Sequence, residues 1–445
     1  MREIKGKHIT ILGAARSGIA AADLLFRQGA EVFVSDIAKE EIKNNEINKL
    51  KGLGIPFEFG KHSDRVFDSD FVVLSPGIPV ASDIVQKILK LNIPVLSEIE
   101  IASWFCKSPM IAVTGSNGKT TTTTLIGEML KTEQPQRIQA GNIGNPFASQ
   151  VLNSVEDNWT VIEVSSFQLE TIEEFHPKVV VLLNLAPNHL DRYEGNYEKY
   201  VSAKLNILKN LNQDDFIIYN FDDRLLSEKI QYSKAQKLSF STLNKNADAF
   251  LSDSILMIEN AELIDTKIIK LNGIHNYMNS MAAVLASRKA GISKDSIIKI
   301  LQEFSGVEHR LEFVREFNGI DYVNDSKATT VESLAVALQS FDHPIVLIAG
   351  GKDKGSDFSK LNPLIGKYTR EVILIGVAKE KMSNSWAKIK PVHFADTLEE
   401  AVMMATQIAK EKDTVLLSPA CASFDMFTDY EDRGKQFKSI VNNLN

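Results

Sequence analysis

Short apolar runs alternate with helix-patterned segments along almost the whole chain, and this alternation constrains the fold more than any other feature. The runs include HITILG, FVVLSPG, MIAVTG, KVVVLLNLA, PIVLIAGG and TVLLSPA, and most of them lead into glycine or proline. Continuously apolar strands separated by helices are typical of parallel sheets that are covered on both faces. The sequence therefore predicts an α/β protein.

The length of the chain and the breaks in this alternation predict three domains. At about 150 residues per domain, 445 residues correspond to roughly three. We expect a Rossmann-like domain over 1–98, a central P-loop ATPase-type domain with a parallel sheet over 99–306, and a second Rossmann-like domain over 307–445. In the central domain, SILMI and KIIKLNG are expected to pair as edge strands before a helix at about 275–290.

Charge and composition narrow the class of protein. The net charge of −7 argues against a nucleic-acid partner. No run of about 18 apolar residues occurs, and the N-terminus MREIKGKH has no apolar signal region, so no membrane span is expected. The two cysteines lie far apart without metal-ligand spacing, which fits a reducing, cytoplasmic setting.

The stretch AVTGSNGKTTTTTL is similar to a phosphate-binding loop but departs from the usual pattern. That pattern places a glycine six positions before the lysine, where this chain has Val113. Gly115 and Gly118 still allow a tight turn between a strand and a helix. Lys119 can reach the β- and γ-phosphates, and Thr120 can offer its hydroxyl to Mg²⁺. We interpret the stretch as a shortened P-loop; a surface turn with a chance lysine is the alternative.

Five consecutive threonines follow Lys119. Threonine is a poor helix former in a helix interior, so the run needs another reason. Hydroxyl groups near the helix N-cap supply one.

Polar residues follow the strands that come after this loop. Glu163 ends the strand of WTVIEVSS, His189 follows KVVVLLNLA, and Lys204 lies in the next helix. Taken singly, these residues also fit a solvated strand end, a turn and a solvated helix face. Together beside a P-loop they favour a site for Mg²⁺ and phosphate.

The N-terminal segment GAARSG, Gly13 to Gly18, resembles the dinucleotide fingerprint, with Asp36 some twenty residues further on. Ala15 replaces the second glycine, whose missing side chain lets the backbone approach pyrophosphate. An NAD-dependent oxidoreductase is therefore a poor first choice, and a plain structural turn remains an alternative.

Taken together, the motifs resemble the ATP-dependent Mur ligases of peptidoglycan synthesis. TGSNGKTTT, EVSSFQLE, NHLDRY, GIHNYMNSMAA, HRLEFV and DSKATT occur in family order over essentially the whole chain. SPGIP, GGKDKGSDF and SPACASFDMFTDYEDRGKQF resemble the members that add D-glutamate to UDP-N-acetylmuramoyl-L-alanine. The alternatives are another Mur ligase, a folylpolyglutamate synthase-type ligase, and, from another class, a P-loop nucleotide-binding switch.

The resemblance implies an ATP-dependent amide-bond ligase. ATP would phosphorylate the alanine carboxylate, and the amine of D-glutamate would attack this acyl phosphate through a tetrahedral intermediate. The implied partners are small molecules (the UDP-sugar, D-glutamate and ATP) with two Mg²⁺ ions, and the implied state is a monomer.

The resemblance also implies roles for individual residues. The implied ATP-binding residues are Gly115, Asn117, Gly118, Lys119, Thr120, Thr121, Asn276, Asn279, Arg310, Asp325 and Lys327. The implied UDP-sugar-binding residues are Arg16, Ser17, Gly18, Asp36, Gly77 and Asn142. The implied D-glutamate-binding residues are Thr329, Lys354, Ser423 and Phe424.

The catalytic set implied by the resemblance is Lys119, Glu163, His189, Lys204 and Lys354. Thr120 and Glu163 would hold a first Mg²⁺, and His189 and Lys204 a second, with Lys204 carbamylated by CO₂. A carbamate donates anionic oxygen, whereas an ammonium repels Mg²⁺.

Alternatives and departures remain at a few of these positions. Arg310 also fits an interdomain salt bridge, and Ser423 and Phe424 also fit a helix cap and a core position. The sequence has Asn188 where an acid is common in the family, and Thr330 where asparagine is expected.

Overall fold

The computed structural model describes residues 3–40, 43–142, 144–187, 190, 192–271, 273–341, 343–353 and 355–444. Within these residues the strands form three sheets that are accompanied by helices, which confirms the predicted α/β fold class. By internal contacts the chain divides into two compact units, one formed by residues 1–304 and the other by residues 305–445.

The first sheet is wholly parallel and has the order β3-β2-β1-β4-β5. Its strands are β1 (His8–Leu12), β2 (Glu31–Asp36), β3 (Phe57–Phe59), β4 (Phe71–Leu74) and β5 (Val95–Ser97). The helices of this segment are α1 (Arg16–Arg27), α2 (Asn44–Leu53), α3 (Asp83–Lys90) and α4 (Glu98–Ser103). The strand order reverses between β1 and β4, which is where doubly wound sheets bind ligands beyond their strand ends.

The second sheet has the order β14-β13-β12-β11-β10-β9-β6-β8-β7. Its strands are β6 (Met110–Thr114), β7 (Ile138–Gly141), β8 (Thr160–Glu163), β9 (Val179–Leu182), β10 (Phe216–Asn220), β11 (Gln236–Ser241), β12 (Ala249–Ser252), β13 (Ile255–Ile258) and β14 (Ala261–Asp265). The helices are α5 (Lys119–Lys131), α6 (Phe147–Gln150), α7 (Ser166–Leu169), α8 (Tyr197–Leu205), α9 (Arg224–Ile230), α10 (Ile274–Lys289) and α11 (Lys294–Glu303).

The edge of this second sheet corrects one prediction. The strand within SILMI pairs antiparallel with β14, whose sequence is AELID. KIIKLNG contributes no strand, because Thr266–Ile268 is a 3-10 turn. Glu262 interrupts the apolar residues of AELID, and this hid the strand. The helix expected at about 275–290 is α10.

The threonine run of α5 is buried rather than engaged in capping. Thr122 and Thr123 have no exposed surface, and the N-cap residue Gly118 makes no side-chain capping bond. The Thr122 hydroxyl donates to Asn279 of α10 at 3.3 Å. Small β-branched side chains let α5 pack closely between the sheet and α10, so packing and not capping accounts for the run.

The third sheet has the order β15-β16-β20-β17-β18-β19, and all its pairs are parallel except β15 with β16. Its strands are β15 (Glu312–Phe317), β16 (Ile320–Asn324), β17 (Ile345–Gly350), β18 (Thr369–Ile375), β19 (Val392–Phe394) and β20 (Thr414–Leu417). The helices are α12 (Val331–Leu338), α13 (Asn362–Tyr368), α14 (Lys379–Trp386), α15 (Leu398–Ile408) and α16 (Tyr430–Asn442).

No helix in the described part of the chain is both long enough and apolar enough to span a bilayer.

Candidate active site

The predicted phosphate loop lies between β6 and α5, at the carboxyl end of the sheet. Gly118 has φ +82° and precedes the first helical residue, and a Cβ at this position would lie 2.3 Å from Oδ1 of Asn279. Only glycine fits both the left-handed backbone and this close approach. Because no side chain caps the start of α5, its first N–H groups are available to an anion.

Asn184 holds this loop in shape, and sequence reasoning missed it. Its Oδ1 accepts from the Asn117 N–H at 2.8 Å, and its Nδ2 donates to the Asn117 carbonyl at 3.2 Å. Its own carbonyl accepts from the Ser116 N–H at 2.9 Å. The signal was present, because Asn184 is a polar residue two positions beyond the buried strand β9.

The Lys119 ammonium lies over the loop itself. Its Nζ donates to the carbonyls of Gly115 at 2.8 Å and Ser116 at 2.9 Å. Thr120 and Thr121 are buried in the first turn of α5, directly behind the loop. The Lys119 ammonium is thus held beside the N-terminus of α5, where its charge adds to the positive end of the helix dipole.

Glu163 ends β8 as a buried carboxylate, so the solvated alternative for it is wrong. Only 1% of the residue is exposed. Its Oε1 accepts from Asn142 Nδ2 at 2.9 Å, while Oε2 has no hydrogen-bond partner among the described residues. A buried carboxylate oxygen without a donor is costly unless a cation neutralises it.

Lys204 is also buried, with 1% exposed, so the alternative of a solvated helix face is wrong. Its Nζ donates to the Gly115 carbonyl at 3.0 Å and to Thr114 Oγ1 at 3.3 Å, and lies 5.0 Å from the centre of the Tyr200 ring. Burial, and then the positive charge of Lys119, hold the pKa of the Lys204 amine well below its ordinary value. Burial therefore favours the neutral form of this amine over the ammonium.

The remaining metal-ligand prediction falls on His189, which lies outside the described residues, as does Asn188. Among the residues that are described, no three or more His, Cys, Asp or Glu side chains gather into a metal-binding group. The predicted ligand set combines the Thr120 hydroxyl, the Glu163 carboxylate, His189 and a modified Lys204, and so it does not require such a group.

The N-terminal turn follows β1 and opens α1. A Cβ on Gly18 would lie 1.9 Å from the Gly13 carbonyl, so the first turn of α1 packs directly onto the loop. The Asp36 carboxylate accepts from the N–H groups of Ala14 at 2.7 Å and Ala38 at 2.8 Å. Asp36 therefore braces the turn from the end of β2.

The other predicted UDP-sugar residues lie around the same end of unit 1. Arg16 is exposed and donates from Nη2 to the carbonyl of Gly144, in the loop that also carries Asn142. Ser17 is half-buried beside it in α1, and Gly77 is exposed. The backbone around Gly77 is held by Arg192, which sequence reasoning missed: its guanidinium donates to the carbonyls on either side, at 2.6 and 3.1 Å.

In the second unit, Asp325 is a buried carboxyl just beyond β16. It accepts from Ser418 Oγ at 2.8 Å and from the Leu311 N–H at 3.1 Å. Burial raises its pKa to about 7, against the favourable charge of Arg310. Lys327 follows in the same loop, with its Nζ 5.9 Å from the centre of the Tyr430 ring. The geometry thus brings Arg310, Asp325 and Lys327 to one strand end.

Three of the predicted D-glutamate residues, Thr329, Ser423 and Phe424, lie in loops at the same side of the third sheet. Ser423 is buried, and Phe424 is 64% exposed, so the core alternative for Phe424 is wrong. Lys354 lies outside the described residues. Thr329 is half-buried, and Thr330 caps α12 by accepting from the Ser333 N–H at 3.2 Å. Asparagine could fill the same capping role, so the structure does not explain that departure.

Family models cover the three sheets in turn. The Mur ligase MurD-like N-terminal domain matches residues 7–97, the Mur ligase middle domain matches 113–287, and the Mur ligase glutamate ligase domain matches 309–421. The chain belongs to the Mur ligase family of ATP-dependent ligases.

Curated relatives narrow the assignment within that family. The chain is 44% identical to the UDP-N-acetylmuramoylalanine–D-glutamate ligase of Chloroherpeton thalassium, and the alignment covers 99% of each chain. It is 42% identical to the enzyme of the same name from Christiangramia forsetii, over 99% of this chain and 100% of the relative. The chain is a member of this group of ligases, which act in peptidoglycan precursor synthesis.

Solved structures agree on the fold. UDP-N-acetylmuramate–alanine ligase from Thermotoga maritima has a TM-score of 0.61 at 20% identity, covering 98% of this chain and 99% of the other. MurF from the same organism in complex with ADP has a TM-score of 0.59 at 18% identity, covering 98% and 95%. E. coli FolC covers only 77% of this chain and 92% of its own.

Proposed function

We propose that the chain joins D-glutamate to UDP-N-acetylmuramoyl-L-alanine and cleaves ATP to ADP and phosphate. The alanine carboxylate oxygen attacks the γ-phosphorus of ATP, and ADP leaves. The D-glutamate nitrogen then attacks the carbonyl carbon of the acyl phosphate. Collapse of the tetrahedral intermediate expels phosphate, the nitrogen loses a proton, and an amide remains. Phosphorylation supplies the leaving group that a carboxylate lacks.

The observation that carries this proposal is the charge arrangement at the phosphate loop. The Lys119 ammonium, the buried Lys204 amine and the buried Glu163 carboxylate surround the start of α5. A helix N-terminus and a lysine stabilise the negative charge of a phosphate group. Catalysis of phosphoryl transfer consists mostly of positioning the reactants and of stabilising this charge.

The residues also fit a divalent cation. The unpartnered Glu163 Oε2 and the Thr120 hydroxyl are hard oxygen donors of the kind that Mg²⁺ prefers. They would hold a first Mg²⁺, and His189 with carbamylated Lys204 a second. When bound, such ions supply neutralisation of the charge that develops on the transferred phosphoryl group.

Lys204 is a suitable amine for carbamylation. A neutral nitrogen attacks CO₂, forms an N–C bond and releases one proton to solvent. The depressed pKa of Lys204 supports this assignment, because an ammonium has no lone pair to react. The resulting anion would also be attracted to the Lys119 ammonium.

The remaining roles follow the family pattern. Arg16, Ser17, Gly18, Asp36, Gly77 and Asn142 bind the UDP-sugar. Asn276 and Asn279 bind the adenine region of ATP, and Arg310, Asp325 and Lys327 its ribose and phosphates. Thr329, Lys354, Ser423 and Phe424 bind D-glutamate. We also propose that the protein acts in the cytoplasm, as a monomer, with no nucleic-acid partner.

The test is phosphate release from ATP and Mg²⁺ with UDP-N-acetylmuramoyl-L-alanine and one amino acid at a time. D-Glutamate, L-glutamate, L-lysine and meso-diaminopimelate are compared. Turnover with D-glutamate alone is expected. Turnover with another amino acid would keep the ligase chemistry but overturn the roles of Ser423 and Phe424. Turnover that does not require the UDP-sugar would overturn the proposed function.

A further inference from the structure

Three loops of the second unit follow neighbouring parallel strands, and each carries residues assigned above to a substrate. The loops are 325–329 after β16, 350–355 after β17 and 418–424 after β20. Residues for ATP lie in the first loop, and residues for D-glutamate lie in all three. A side chain that fixes these loops relative to one another therefore also fixes the relative positions of the residues assigned to ATP and to D-glutamate.

Arg433, in the first half of α16, contacts the first and third loops at once and is completely buried. Its Nε donates to Ser326 Oγ at 3.0 Å, and its Nη2 donates to the Ser326 carbonyl at 2.8 Å. Its Nη1 and Nη2 donate to the Cys421 carbonyl at 3.3 and 3.2 Å. One planar group therefore binds a hydroxyl and a carbonyl of one loop and a carbonyl of another.

The middle loop packs against the same guanidinium. A Cβ on Gly351 would lie 3.3 Å from Arg433 Nη1, so the backbone there approaches the cation directly. The next residue, Lys352, exchanges two backbone hydrogen bonds with Ala422 at 2.8 and 3.1 Å. The middle loop is thus fastened to the loop whose carbonyl Arg433 holds.

Burial of the Arg433 cation does not by itself favour the stability of the fold. Burial lowers the pKa of Arg433 to about 10, so the side chain is still a cation at neutral pH. Within the described part of the chain, no carboxylate oxygen lies within ion-pair distance of the guanidinium. The charge of Asp425 compensates the cation only from beyond ion-pair distance. A buried cation without a direct ion pair costs several kcal/mol relative to a well-packed apolar side chain. The benefit must come from what the guanidinium holds.

We propose that Arg433 is a positioning residue, which fixes the loops 325–329, 350–355 and 418–424 in the arrangement that binds ATP and D-glutamate together. It touches neither substrate, since it has no exposed surface. The inference rests on the proposed function for the identity of the two substrates. Lysine cannot replace arginine here, because a single ammonium does not reproduce a planar fork with three diverging N–H directions.

The test compares Arg433→Lys with a matched control, Arg315→Lys. Arg315 is also in the second unit and also donates to two carbonyls of α16, those of Val441 at 3.3 Å and Asn442 at 3.0 Å. It holds the other end of that helix and makes no hydrogen bond to the described residues of the three loops. Both variants loosen α16, but only Arg433→Lys releases the loops.

Arg433→Lys is expected to raise the KM values for ATP and for D-glutamate by about tenfold or more and to lower kcat, since small misplacements of bound groups are costly. The Kd for UDP-N-acetylmuramoyl-L-alanine, whose residues lie in the first unit, should stay unchanged. Arg315→Lys should lower the Tm without moving either KM. Equal kinetics in the two variants would overturn the proposal.

A second, milder variant guards against misfolding. Ser326→Ala removes only the hydroxyl that Nε contacts, and it should raise the same two KM values, by less. The Ser326 hydroxyl also donates to the Tyr430 carbonyl at 2.7 Å, and Arg433 also holds two carbonyls, so the two residues share only part of their contacts. The effect of the double variant on the two KM values should therefore be smaller than the sum of the two single effects. Additive effects would contradict the proposed route through Ser326.

Hydrogen exchange gives a readout that needs no turnover. In the full-length chain, amides of 325–329 and 418–424 should exchange faster in Arg433→Lys than in Arg315→Lys. Unchanged protection would overturn the positioning role even if the wild-type chain had no activity with D-glutamate. Absence of that wild-type activity would instead contradict the proposed function.

Discussion

At the scale of single residues, the site is marked by two buried ionisable side chains. Glu163 and Lys204 each have 1% of their surface exposed, and both lie at the phosphate loop. The sequence predicted that the two residues lie near each other, because Glu163 ends one strand and Lys204 lies in the helix after the next strand. Their burial could not be predicted, because it depends on how α8 packs against the loop.

Glu163→Gln should reduce turnover by about 100-fold or more, because a neutral amide replaces the carboxylate that we propose as a ligand of the first Mg²⁺. The amide oxygen can still accept from Asn142, so the fold should be kept. Steady-state phosphate release measures the effect, with Glu173→Gln, an exposed acid of the same unit, as control. Retention of wild-type turnover would remove Glu163 from the metal site.

Glu98 gives a pH-dependent prediction. It is buried at the start of α4, accepts from the Ala148 N–H at 2.5 Å, and burial raises its pKa from 4.5 to about 7. The folded state therefore holds this proton more tightly than the unfolded state. Its contribution to stability is full below pH 4.5 and is lost as the pH rises to about 7, up to about 3 kcal/mol in all.

Glu98→Gln removes this titration and keeps an oxygen for the Ala148 N–H. Relative to the wild type, the variant should therefore gain free energy of unfolding between pH 5 and pH 8. Urea denaturation at pH 5, 6 and 8 measures the difference, with the exposed Glu303→Gln as control. The same difference at all three pH values would show that Glu98 does not titrate in this range.

At the scale of elements, the loop between β6 and α5 depends on one backbone conformation. Gly118→Ala would place a methyl group in a left-handed residue and against Asn279 of α10. We expect a loss of about 1–3 kcal/mol in stability and a much weaker affinity for an ATP analogue. Calorimetric titration and thermal denaturation measure the two effects.

Gly52→Ala is the matched control for that change. Gly52 lies inside α2, and a Cβ there would meet no atom within 4 Å. Alanine should stabilise the chain by up to about 1 kcal/mol and leave nucleotide affinity unchanged. Equal effects of the two substitutions would mean that the special geometry of Gly118 is unimportant.

The elements also mark where sequence reasoning succeeds and where it stops. The strand, loop and helix around Lys119 were predictable, because the apolar run, the two glycines and the lysine follow one another directly in the sequence. The position of Asn184 after β9 was a signal, but the loops that Asn184 and Arg433 hold could not be predicted, because each loop is far from its partner in sequence. The prediction of a strand in KIIKLNG was wrong. An apolar run alone does not show which segment pairs with the neighbouring strand.

At the scale of the whole molecule, the chain contains two compact units that have separate buried cores. Trp386 belongs to the second unit, where it is fully buried and donates from Nε1 to the Phe358 carbonyl at 3.1 Å. Trp386→Ala should destabilise that unit by about 3–5 kcal/mol. Scanning calorimetry should show one transition lowered and the other unchanged. A common shift of the entire unfolding profile would contradict independent units.

The loop that Arg433 fastens has a consequence for covalent chemistry. Cys421 offers only its carbonyl to the guanidinium; its thiol is 2% exposed, and burial raises the thiol pKa to about 12. Electrophiles react with thiolates, which this side chain does not form at neutral pH. An acrylamide or maleimide inhibitor directed at the proposed D-glutamate site therefore needs an engineered cysteine to react with. A thiol-reactive fluorophore would label that engineered cysteine and leave Cys421 unlabelled.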